Sequence, residues 1–124
     1  MKGIFVDASG YMEIRDYAEP IYQTVGEDVG GWIEIVRPKG LPTGYVMVVD
    51  EEGALKDNQV NLVASILYGV LDDPECLIFG DMVIMKEGYT EEGLDIVDMS
   101  LNEIYTLWKT NPVLKKLDLY DCRE

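Results

Sequence analysis

The sequence predicts an α+β fold: a mostly antiparallel sheet of about five to six strands packed by about three helices. Three observations lead there. The opening stretch "KGIFVDASGYMEIR" alternates on both sides of a turn, as a hairpin does. "YVMVVD" (Tyr45–Asp50) is apolar at every position but the last, as a strand buried on both faces is. Two later segments repeat apolar residues at three and four positions, the helical spacing.

Each element has a local reason. In the hairpin, Ile4 and Val6 point one way and Phe5 the other, with Asp7-Ala8-Ser9-Gly10 as the turn. Pro20 suits the first turn of a helix, because that position has no use for an N–H. Ile21, Tyr22 and Val25 then form its apolar face, and Gly26 weakens its end. Gly30-Gly31 precede "WIEIV" (Trp32–Val36), which reads as a central strand stopped by Pro38, with Trp32 as a buried anchor. Asn58 is the expected N-cap of a largely buried helix over 59–71. "CLIFGDMVIMK" (76–86) is extended, with Cys76 buried and Gly80-Asp81 as either a bulge or a tight turn. Residues 88–98 read as an acidic connection. Ser100 and Glu103 form a capping box ahead of Leu101, Ile104, Tyr105 and Trp108, and Asn111-Pro112 end that helix.

The 124 residues fit a single domain, 1–124. They carry 24 acids and 10 bases, a net charge of -14. Residues 51–100 hold 12 of those acids and 2 of the bases. Such a chain repels nucleic acid and anionic membranes, so no direct contact with either is expected. The longest apolar run, Leu62–Leu71, is too short to span a bilayer, and no signal peptide is evident. A cytoplasmic location is expected. Cys76 and Cys122 form no disulfide framework and no CxxC.

Histidine is absent, which removes Ser-His triads and most zinc sites. No catalytic constellation, no metal-ligand spacing and no cofactor motif is recognisable. The glycines of "GEDVGGW" lack the lysine and following helix of a phosphate loop. Tyr11, Tyr17, Tyr22 and Tyr45 either line a pocket or pack along the sheet.

Three stretches occur in a fixed order: "VGGWIEIV" (Val29–Val36), "VMVVDEEGALK" (Val46–Lys56) and "IFGDMVIM" (Ile78–Met85). With the hairpin before them, they resemble the family catalogued as domain of unknown function 3846. Its pattern is a "VGGYIE"-like stretch, a strand into "NEEGKL", an "LPxN" segment and "GDVVI". Here Trp32 stands for the Tyr, Asp50 for the usual Asn, and Asn61 matches the Asn of "LPxN", although the prolines are missing. The resemblance covers residues 1–86; 87–124 reads as the acidic connection and a C-terminal helical tail. It implies a phage or mobile-element protein working in a bacterial or archaeal host, with no enzyme activity attached.

The leading expectation is therefore a non-enzymatic binding protein, with a counter-defence or regulatory role. An acidic face of Glu51, Glu52, Asp72, Asp73, Glu75, Glu91 and Glu92 would engage a host protein with a basic surface. One alternative is a nucleotide-type small-molecule binder built on Gly30, Gly31, Trp32, Tyr45 and Asn61, with aromatic stacking and glycine N–H groups on phosphate. Others are a carboxylate-based, metal-dependent hydrolase and a structural homodimer paired at a sheet edge.

Overall fold

The computed structural model describes residues 1–56, 58–121 and 123. Among them, seven strands form one sheet with three α-helices. In chain order these are β1 (Lys2–Val6), β2 (Met12–Asp16), α1 (Ile21–Val29), β3 (Ile33–Val36), β4 (Tyr45–Asp50), α2 (Leu62–Tyr68), β5 (Met82–Thr90), β6 (Gly93–Val97), α3 (Leu101–Thr110) and β7 (Leu119–Asp121). The sheet order is β3-β4-β5-β1-β2-β7, with β6 also paired to β5. Every pair is antiparallel except β2 with β7. The expected α+β fold is present, with one or two more strands than predicted.

Helices cover both faces of this sheet. On one face, Ile4, Val6, Ile14, Met47, Val49 and Ile84 meet Ala64 and Leu67 of α2 and Ile104 and Leu107 of α3. On the other, Phe5, Val46, Val48, Val83 and Met85 meet Val25 and Val29 of α1. This is why β4 and the first half of β5 are apolar at successive positions: each face of those strands has its own core. The first hairpin forms as predicted, with Ile4 opposite Ile14.

Helix α3 also starts where its capping box places it. The Ser100 hydroxyl accepts from the Glu103 N–H, and the Glu103 carboxylate accepts from the Ser100 N–H. Lys86 pairs with the same carboxylate. These partners, Lys86 first, hold the Glu103 carboxyl below the usual glutamate range. A depressed folded pKa means this contribution is present above the unfolded glutamate value and is lost as pH falls through the folded one. Ser100→Ala should cost about 1 kcal/mol in urea denaturation. A change below about 0.3 kcal/mol would mean that solvent serves the helix end equally well.

Several expectations need correction. Strand β3 lies at the sheet edge, not its centre. Pro20 sits at the cap position of α1, one residue before the first turn. Helix α2 is shorter than predicted and begins at Asn61, whose side chain accepts from the Ala64 N–H; Asn58 does not cap it. Leu62 of α2 is exposed, so that helix is buried on one side only, and Leu71, also exposed, lies beyond its end. Gly80-Asp81 is neither a hairpin turn nor a bulge in a ladder. It is a bend with Gly80 at φ +84, between an isolated Val60–Phe79 bridge and the start of β5. Cys76 is half-buried rather than core, and Cys122 lies outside the described residues.

The stretch read as an acidic connection is a hairpin. β5 runs through residue 86 to Thr90, turns at Glu91-Glu92 and returns as β6. Its polar residues, exposed on a projecting arm, dilute the alternation that reveals a strand.

Candidate functional site

The three stretches that carry the family resemblance converge at one end of the sheet, around the last residue of β4. Asp50 is buried there, and its carboxylate accepts from Lys56 Nζ at 2.9 Å and from the Glu52 N–H at 2.9 Å. Lys56 Nζ also donates to the Gly30 carbonyl at 3.0 Å. A Cβ on Gly53 would lie 2.7 Å from the Phe79 carbonyl oxygen. Asp81 accepts from the Ala8 N–H at 3.0 Å, tying in the first hairpin.

Asn61 completes this junction from below. Its side-chain amide donates to the carbonyls of Val6 (3.2 Å) and Gly80 (2.9 Å) while its oxygen caps α2. It is fully buried with its polar atoms engaged, so its place is in the framework and not in a ligand site.

A polar cleft of about 380 Å³ opens beside the junction, between Asp28, Asp50, Lys56, Asn58 and Asp81. Its acids have internal partners. Asp28 accepts from Arg15 at 2.8 Å and from the Tyr17 hydroxyl at 2.7 Å. Burial, and then that bond to Asp28, push the Tyr17 hydroxyl well above the usual tyrosine range, so it stays a donor. Among the described residues, no three acids or cysteines are grouped to hold a metal ion.

Gly30 and Gly31 have a different role from the one an anion site requires. Gly30 adopts φ +105 and ends α1 in the left-handed conformation that glycine favours. Its N–H and that of Gly31 both donate to the Gly26 carbonyl, at 2.8 and 3.0 Å. They are spent on a helix C-terminus, whose partial negative charge disfavours phosphate. The phosphate-holding role of these two amides is therefore overturned.

Trp32 is not a core anchor. It is 73 % exposed, and Tyr22 on α1 is 62 % exposed. The two flank a shallow groove of about 520 Å³ over Gly26, Gly30 and Gly31. Tyr22 also borders a second, apolar groove of about 540 Å³. That groove lies between α1 and the sheet, lined by Ile21, Val25, Ile33, Ile35, Met85 and Ile96, with Glu19 and Asp95 at its margins. A residue pattern could not announce this: Ile33 and Ile35 look like ordinary strand core until the strand is known to be an edge.

Tyr45 does not join Trp32. It begins β4, whereas Trp32 lies beside Glu51 past the other end of that strand, about 20 Å away at strand rise. The four tyrosines are dispersed too. Tyr11 stacks on Tyr120 with ring centroids 5.2 Å apart, while Tyr17 is buried against Asp28. The seven acids do not make one face either. Glu51 and Glu52 follow the end of β4 near the start of β5, while Glu91 and Glu92 sit at the far tip of β5, about 30 Å along the strand. Asp72, Asp73 and Glu75 lie on the α2–β5 connection, where the Asp73 carboxylate accepts from the Glu75 N–H.

The model of the family described as Domain of unknown function (DUF3846) matches residues 1–109. The chain belongs to this family. For DUF3846 the match runs beyond residue 86, taking in the β5–β6 hairpin and nearly all of α3. No curated protein and no solved structure matches the chain. No helix among the described residues is long and apolar enough to cross a membrane.

Proposed function

We propose that the chain is a non-enzymatic binding protein of phage or mobile-element origin. It engages a host protein with a basic surface, in a counter-defence or regulatory role within the host cytoplasm. The contact face is the α1–β3 side of the sheet. One observation carries this reading: an indole 73 % exposed flanks an open groove with Tyr22, and Tyr22 in turn borders the apolar groove between α1 and the sheet. Aromatic side chains left in solvent next to apolar surface are the usual anchors of interfaces. Charge selects the partner. Glu19, Glu27 and Asp95 line or border these two grooves in a chain of net charge -14. The arginine on β3's trailing end, Arg37, is already held by Glu87. The mobile-element origin and the host setting rest on the family resemblance.

The test is paired capture from host lysate, with wild type and Trp32→Ala as baits, at low and high salt. A basic host protein should be retained by wild type at low salt and released by high salt. Trp32→Ala should lower its affinity about tenfold or more while changing stability by less than about 0.5 kcal/mol. Equal capture by both baits would show that the partner uses another face. Unfolding of the variant would return Trp32 to a structural role.

A further inference from the structure

We infer that the free edge of β3 receives an extended segment of the partner by antiparallel strand addition. This inference rests on the binding reading above and specifies its geometry. The incoming segment alternates apolar and basic side chains.

Hydrogen-bond alternation defines the edge. The Trp32 carbonyl accepts from the Glu51 N–H at 2.9 Å, so this facing pair is a hydrogen-bonded one. In an antiparallel ladder such pairs alternate with non-bonded ones. The register Ile33↔Asp50, Glu34↔Val49, Ile35↔Val48 then places the backbone bonds of Glu34 toward β4. The N–H and C=O groups of Ile33 and Ile35 point the other way. Among the described residues β3 pairs only with β4, so that outward row has no strand on it. An unpaired row of this kind is a template for another chain.

Side-chain alternation defines what fits. Ile33 and Ile35 line the apolar groove on the α1 side, and Ile35 is 38 % exposed. Glu34, on the opposite face, is exposed. Residues of an added strand that face Ile33 and Ile35 share their side of the sheet, so apolar side chains there extend over the open groove. The residues between them fall beside Glu34, where a lysine or arginine is favoured and an acid is not. A second copy fits less well. Two-fold pairing centred on β3 at Glu34 sets that carboxylate against itself, and two chains of net charge -14 repel.

The test uses three short synthetic peptides of alternating isoleucine and arginine. One is unmodified, one is N-methylated on its isoleucines, and one is N-methylated on its arginines. The isoleucine N–H groups face Ile33 and Ile35; the arginine N–H groups face solvent. Methylating the isoleucines should weaken binding about tenfold or more, and methylating the arginines should not. In nitrogen-labelled protein, the Ile33 and Ile35 amides should become protected from exchange on peptide addition. Ile35→Pro removes one outward N–H without touching the β4 ladder and should reproduce the loss. If that variant fails to fold, the methylation pair decides alone. Equal affinity for the two methylated peptides overturns strand addition while leaving a Trp32-dependent contact in place. Failure of all three peptides also overturns it, and the Trp32→Ala capture then judges the wider reading separately. A dimer that protects the same two amides without peptide assigns the edge to a second copy and overturns the basic segment.

Discussion

Asn61→Ala should destabilise the protein by about 4 kcal/mol, lowering the thermal midpoint by about 15 °C. The side chain serves three backbone groups at once. Its oxygen caps α2 through the Ala64 N–H, and its amide satisfies the carbonyls of Val6 and Gly80. Loss of the cap alone costs about 1 kcal/mol. The two buried carbonyls, which end β1 and precede β5, would each lose a partner at about 1–2 kcal/mol. Asn61→Asp sharpens the prediction. Aspartate caps helices as well as asparagine does, yet it has no N–H to offer and would set a carboxylate against two carbonyls. It should therefore be at least as damaging as alanine. If aspartate restores stability in thermal denaturation, the cap is the whole role and the two carbonyl bonds contribute little.

Gly26→Ala should also destabilise, by about 2 kcal/mol, against the sign that helix propensity suggests. Alanine inside a helix is ordinarily favoured over glycine by about 1 kcal/mol. Here a Cβ would sit 2.8 Å from the Gly31 carbonyl oxygen, where the chain folds back over α1. That oxygen cannot withdraw freely, because Gly31 and Gly30 both donate to the Gly26 carbonyl and Gly30 is bound by Lys56. The clash would lift the lead into β3 away from the helix. A higher unfolding midpoint for alanine would show that this segment yields easily and that propensity decides.

The two substitutions show where local pattern stops being informative. Gly26 reads as a weak point in a helix because propensity counts only the helix; the space it leaves is used by a segment five residues on. Asn61 looks like one polar residue among apolar ones. Its importance comes from Val6 and Gly80, distant in sequence, whose carbonyls it reaches. The site residues divide in the same way. Gly30-Gly31 was legible as a device for unusual backbone, and Gly30 does hold φ +105. That their amides turn inward to Gly26 depends on α1 ending there.

What the sequence determined by itself is the local layer. Alternation around Asp7–Gly10 specifies the first hairpin, the unbroken apolar run of Tyr45–Val49 specifies a strand with two covered faces, and Ser100 with Glu103 specifies the start of α3. These follow from contacts within a few residues, or from burial so complete that any packing produces the same pattern. Tertiary structure decided the rest. It put β3 at an edge, so that Trp32 and Ile35 face solvent although their pattern matches a buried strand. It built β7 from residues with weak periodicity, because β2, far along the chain, supplies the ladder bonds, and it extended β5 into an exposed arm on which β6 folds back. It also separated Glu51-Glu52 from Glu91-Glu92 by the length of β5. Periodicity records that a residue alternates; only strand order determines whether its neighbour is another strand, a helix or water.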